Sequence, residues 1–217
     1  MLMTLLSVVA GFVDAACFLG LNQVFTAHVT CNIAAFASSF VNPLPDGALR
    51  VAVLGAFAIG ATGGRAAQIW FDRTQRPRGL DPFVCGEALW LALLLVANLF
   101  LPDEPLKQYA LGSCAAAAMG CQSAGTGLRT EMRLPTTVMT SNFTQWAIAL
   151  FDVLAPGIRP APRREAFHDF MRLTLLLVAF GMGALAGALG EHRFGFSVLV
   201  VPLFALSIAI IALMSKR

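Results

Sequence analysis

Residues 11–32 read GFVDAACFLGLNQVFTAHVTCN, and residues 120–142 read GCQSAGTGLRTEMRLPTTVMTSN. Each stretch opens with small and polar residues set in an apolar run, Gly11-Phe12-Val13-Asp14-Ala15 in the first and Gly120-Cys121-Gln122-Ser123-Ala124 in the second. Each closes on a Thr-(Cys/Ser)-Asn element, Thr30-Cys31-Asn32 and Thr140-Ser141-Asn142, followed by further apolar sequence. Duplication with polar breaks at matched places is the mark of transporter-type folds, whose sites form where the copies meet. The expected fold class is therefore all-α, a polytopic transmembrane bundle with an inverted internal repeat. Repeat unit one covers 1–103 and unit two 104–217 of a single membrane domain, 1–217.

Composition supports a membrane class. The chain is 58% hydrophobic and 12% charged, with a mean hydropathy of +0.75, whereas soluble domains carry about 25% charged residues. The net charge of +3 gathers in loops and forms no basic stripe, so nucleic acid is not an expected partner. The five cysteines, Cys17, Cys31, Cys85, Cys114 and Cys121, lie in apolar segments without metal-like spacing. They read as small packing residues, not as a disulfide scaffold or a metal site.

Six stretches are long and apolar enough for a hydrocarbon core of about 30 Å: 1–21, 48–71, 82–101, 106–128, 173–190 and 194–214. The first lacks a basic leader and a cleavage site and reads as a retained span. Two shorter runs, 25–41 and 135–154, follow the two copies of the polar motif. Their hydroxyls and amides suit re-entrant or broken helices that line a cavity.

Basic residues discriminate among topologies. With six full spans and both short runs re-entrant, Arg65, Arg73, Arg76, Arg78, Arg129, Arg133, Arg159, Arg163, Arg164, Arg172, Lys216 and Arg217 share one face. Arg50, Lys107 and Arg193 lie on the other. This is the positive-inside pattern and places the C-terminus in the cytoplasm. Eight crossings would erase the bias. The uncharged N-terminal segment leaves the first short run untested, so a seven-span arrangement satisfies the count equally well. Repeat symmetry alone extends the re-entrant reading to both copies.

The copies also match in Phe57-Ala58-Ile59-Gly60-Ala61-Thr62-Gly63-Gly64 and Phe180-Gly181-Met182-Gly183-Ala184-Leu185-Ala186-Gly187. Both contain GxxxG, which lets helices approach closely in lipid. Gly60, Gly64, Gly183 and Gly187 thus offer packing faces, including faces for a homo-oligomer. Three spans and one re-entrant run per unit make the second unit upside down relative to the first. Of the loops, 72–81 is short and basic, and 156–172 is Pro- and Arg-rich and suited to the headgroup surface.

The combination GFVDA, FTAHVTCN, MGCQSAG and LPTTVMTSNFTQ resembles the YoaK family of bacterial multi-pass membrane proteins, a domain of unknown function. The resemblance covers essentially the whole chain and implies an inner-membrane location with about six helices. Ser123 stands where the family more often has Asn, and Cys31 and Ser141 where it more often has Gly. Loss of Gly at a helix break stiffens the backbone there.

The candidate pathway residues are Asp14, His28, Thr30, Asn32, Gln122, Ser123, Thr140 and Asn142. A carboxylate near mid-span costs at least about 2.5 kcal/mol to insert, so it faces the bundle interior and has a partner or a role. Asp14 is accordingly a group able to carry a proton, with Gln122 and Ser123 as expected partners, or else a structural tie between two helices. Thr30, Asn32, Thr140 and Asn142 can cap the free N–H groups of a half-helix, and the same N–H groups can bind an anion. His28 has no neighbour at metal-ligand spacing and suits a proton relay or a plain hydrogen bond. Glu87 is expected to reach interfacial water or to pair with Arg65. No GxSxG, HExxH or Walker motif is present, so neither enzyme chemistry nor a cofactor is expected. The functional expectation is passive or proton-coupled movement of a small solute. An uncoupled channel and a membrane scaffold or assembly subunit are the alternatives.

Overall fold

The computed structural model describes residues 1–41, 46–74, 80–102, 105–129, 139–155 and 163–215. Eight α-helices follow one another among them: α1 (Leu2–Gly20), α2 (Val29–Ser38), α3 (Gly47–Arg73), α4 (Pro82–Phe100), α5 (Pro105–Arg129), α6 (Met139–Leu154), α7 (Arg163–Phe194) and α8 (Val200–Ser215). A 3-10 turn, Gly195–Leu199, joins the last two, and the left-handed φ of 57° at Gly195 makes the break. No strand occurs among the described residues. Of the loop arginines counted for topology, Arg76, Arg78, Arg133 and Arg159 lie outside them, as do Lys216, Arg217 and the Thr136–Val138 part of the second motif.

The molecule buries several polar residues within an apolar core and exposes large apolar side chains. Its buried polar residues are Ser7, Asp14, Thr26, Asn32, Arg50, Glu87, Gln122, Thr126 and Asn142, while Ile59, Leu89, Met182, Leu189, Phe204 and Ile211 are exposed. Water would penalise such a surface; hydrocarbon does not. Among the described residues, four stretches are long and apolar enough to cross a membrane: Leu2–Gly20, Gly47–Arg73, Pro82–Phe100 and Arg164–Ser215. The last covers 52 residues and includes α7, the turn and α8, well beyond the roughly 20 residues of one crossing.

Helix α5 falls below that apolarity for a structural reason. It runs through the interior, where Ala115, Ala116, Ala117 and Ala118 are buried, and close packing there demands small side chains over large apolar ones. Helix α1 is likewise an inner helix, with 56% of its apolar window buried against 33% or less in the other three spanning stretches. α1 packs chiefly on α7 and α5 chiefly on α3, so the tightest crossings join the two halves of the sequence.

Glycine makes both crossings possible. A Cβ at Gly11 would overlap the Phe180 carbonyl and the Ala184 nitrogen; one at Gly120 would overlap the Phe57 carbonyl and the Ala61 nitrogen. Gly60 and Gly183 sit equally close to the carbonyls of Ala117 and Val8, Gly187 lies against Phe12, and Gly64 lies against the Phe83 ring. The small-residue faces expected to serve an oligomer are thus filled within the chain.

Two lengths differ from expectation. α2 has only 10 residues, about 15 Å at 1.5 Å per residue, or half a hydrocarbon core. α7 has 32 residues and begins at Arg163, so the latter part of the expected 156–172 loop is helical. The reason is burial: Phe170 on that extension, with Leu173 just beyond it, packs with Trp146 and Ala149 of α6. Trp146 also donates Nε1–H to Thr174 Oγ1 at 2.9 Å. α4 starts where its sequence directs, with the Asp81 carboxylate accepting from the Phe83 and Val84 amides and Pro82 in the first turn.

Candidate functional site

Asp14 lies on α1 six residues before its end at Gly20, about 9 Å of helix. The chain leaving α1 turns at Asn22 and Gln23, both left-handed with φ of 50° and 63°, and runs back to that depth. There Asp14 Oδ1 accepts hydrogen bonds from the backbone N–H of Thr26 at 2.8 Å and of Ala27 at 2.7 Å, and from the Thr26 hydroxyl at 3.4 Å. Oδ2 meets His28 Nδ1 at 2.5 Å. The carboxylate therefore ties down the segment that leads into α2. Those amides just precede the start of α2, where the helix dipole also favours a negative charge.

The expected partners of Asp14 lie elsewhere. Gln122 donates Nε2–H to the Leu6 carbonyl at 2.7 Å, two turns earlier on α1, and so joins α5 to α1. Ser123 is half-buried on α5. A buried carboxylate is satisfied best by donors that must themselves be satisfied, and the backbone amides of a returning loop are such donors.

Asn32 is buried but does not cap α2. Its Oδ1 accepts from Phe25 N at 3.2 Å and its Nδ2 donates to Phe25 O at 2.5 Å, a reciprocal pair that holds the loop from the other side. The residue at the cap position is His28, and its side chain makes no capping bond. Within each motif the asparagine is turned in, with Asn32 and Asn142 almost inaccessible. Thr30 and Thr140 are turned out, as are Cys31 and Ser141. Thr30 and Thr140 are not among the described residues that line the two cavities below.

Two cavities flank this loop. One, of about 260 Å³, is bounded by Asp14, His28, Phe18 and Phe25 with Gly11, Phe180, Ala184 and Ala188 behind them. The other, of about 520 Å³, is lined by Phe18, Asn22, Gln23, Phe25, Cys31, Ala35 and Arg50. His28 stands edge-on to Phe25 and Phe180, with ring centroids at 5.6 and 5.9 Å.

Arg50 is the residue that sequence reasoning missed, because it was weighed only as a loop charge. It is 6% exposed and donates from Nη1 to the Gln23 carbonyl at 3.1 Å and to Asn32 Oδ1 at 3.3 Å. A signal was available: a cation in the first turn of a helix sits at the unfavourable end of the dipole and needs a reason to be there. Glu87 also differs from expectation. It is fully buried with both carboxylate oxygens lacking a hydrogen-bond partner, while Arg65 bonds Gln68 instead. No group of metal-ligating residues occurs among the described residues.

These features define an α-helical membrane protein in which buried Asp14, Asn32 and Arg50 hold a returning loop. The chain belongs to the DUF1275 family, described as a protein of unknown function, whose model matches residues 2–212. Comparison with curated proteins and with solved structures gives no match.

Proposed function

We propose that this chain is a transporter-like protein of the bacterial inner membrane, of the YoaK type within its family, that moves a small solute with proton coupling. In this reading six helices cross the bilayer and α2 and α6 enter and leave on one side. The two halves form an inverted repeat, and the C-terminus lies in the cytoplasm with the arginine-rich loops. The identical packing of Gly11 on Phe180 and Gly120 on Phe57 supports the repeat.

The observation that carries the proposal is the Asp14–His28 contact at 2.5 Å, beside a cavity and on a loop that returns into the bundle. Ionisable groups within membrane segments are costly and accompany ion pathways and proton relays. Here both members can exchange a proton, and the same carboxylate holds the loop in place. A change in the protonation of Asp14 therefore alters the bonds that position Thr26, Ala27 and His28, and with them the mouth of α2.

A thermal-stability screen of the purified protein against metabolites and ions finds the solute, since a ligand that binds the folded state stabilises it. Flux of that solute into proteoliposomes then tests the reading. Uptake should respond to a pH gradient in the native chain and be lost in Asp14→Asn with the fold intact. Flux indifferent to pH would indicate an uncoupled channel. A complete absence of flux, with the protein folded and inserted, would favour a membrane scaffold.

A further inference from the structure

We infer that the Arg50 cavity is a binding site for a small monocarboxylate. Arg50 is buried, yet no carboxylate among the described residues forms an ion pair with it. Asp46, four residues earlier at the start of α3, makes no such contact. Both hydrogen bonds of the guanidinium run from Nη1 to neutral oxygens, and Nε is buried without a partner. A buried charge is ordinarily paired, and a one-sided guanidinium fork keeps the geometry that accepts a carboxylate in bidentate fashion.

The surroundings select the ligand. The cavity holds about 520 Å³, within the usual size range for small-molecule sites, and Arg50 is the only charged group among the described residues that line it. One guanidinium balances one negative charge. The Phe18 and Phe25 rings give the same cavity an apolar wall, which suits a short acyl or aryl group better than a fully hydrated inorganic ion. The left-handed turn at Asn22 and Gln23 orients the Gln23 carbonyl toward Arg50 and leaves the rest of the guanidinium unused. At the position paralleling Arg50 in the second GxxxG helix stands Leu173, buried and apolar, so the second half has no matching cation. Binding here is separate from the transport reading, because an anion can occupy the site whether or not it is carried.

The test uses the purified full chain in neutral detergent, titrated at constant ionic strength with sodium butyrate, sodium benzoate, sodium phosphate and sodium chloride. Butyrate and benzoate should raise the melting temperature saturably. Arg50→Gln should abolish that response, and Arg50→Lys should weaken it by about tenfold or more, because the bidentate geometry is lost. Asn32→Asp places a carboxylate beside the guanidinium, gives up the bond to the Phe25 carbonyl, and should remove the response. It keeps the test decisive if Arg50→Gln fails to fold. Asp14→Asn should retain the response, which separates this site from the proton-coupling proposal. An unchanged response in Arg50→Gln or Asn32→Asp would overturn the assignment. So would stabilisation by phosphate, or by added phosphatidylglycerol, with no effect of the carboxylates; the second result would make a lipid headgroup the occupant.

Discussion

The rings of Phe18 and Phe25 lie with centroids 4.6 Å apart and planes inclined by 33°, and both cavities touch both rings. This aromatic pair forms a shared wall between the space beside Asp14–His28 and the space beside Arg50. Phe25 is also the residue whose backbone Asn32 grips from both ends, so the wall is fixed by the same loop that the Asp14 carboxylate fixes.

Phe25→Ala should join the two spaces. A cysteine at Ala15, which lines only the smaller one of the pair, should then react faster with a membrane-impermeant maleimide in a background without native cysteines. Unfolding should become easier by about 3 kcal/mol, the usual scale for removing a packed phenyl ring. Equal labelling rates with and without Phe25 would show that the rings do not separate the cavities.

Asp14→Ala should destabilise the protein more than Asp14→Asn. Alanine leaves the Thr26 and Ala27 amides without an acceptor, at about 1–3 kcal/mol for each orphaned buried group. Asparagine keeps a carbonyl oxygen in nearly the same place. Detergent-phase melting curves of the two variants measure the gap, and equal midpoints would remove the structural role given to this carboxylate.

Gly11→Ala and Gly120→Ala should each weaken the fold to a similar degree, because each methyl would meet the corresponding backbone of the partner helix. Overpacking of this kind costs about 1–3 kcal/mol. Gly63→Ala and Gly181→Ala meet open space within 4 Å and should be neutral or mildly stabilising, since alanine favours a helix interior. A loss at Gly181 as large as at Gly11 would contradict the assigned crossings.

Glu87→Gln should leave the melting temperature unchanged or raise it. The side chain is fully buried with neither oxygen bonded, and glutamine keeps its shape while removing an ionisable group from a low-dielectric site. A marked fall in stability would mean that the carboxylate itself is required there.

Much of this organisation is legible along the chain, and particular residues show why. The apolar lengths around Val9, Leu91 and Leu206 place them in membrane-grade helices by composition alone. GxxxG at Gly60 and Gly183 announces close helix contact, because small residues let backbones approach closely. The rarity of a carboxylate among apolar residues singles out Asp14. What periodicity could not say is which distant segment meets each of them. Gln122 was a reasonable partner for Asp14 by repeat logic, yet the carboxylate is taken by the amides of residues 26 and 27, because left-handed turns at Asn22 and Gln23 fold the chain back along α1.

The sequence by itself determined the membrane class, the duplicated polar motifs and the small-residue seams, since these follow from local composition and the transfer cost of polar groups. Tertiary structure alone decided that the seams are filled inside the chain, that Asn32 turns inward while Thr30 turns outward, and that Arg50 lies buried beside a cavity with no carboxylate among the described residues paired to it. Those outcomes depend on how a loop returns and which helices cross, and such long-range geometry leaves no local trace in the order of the residues.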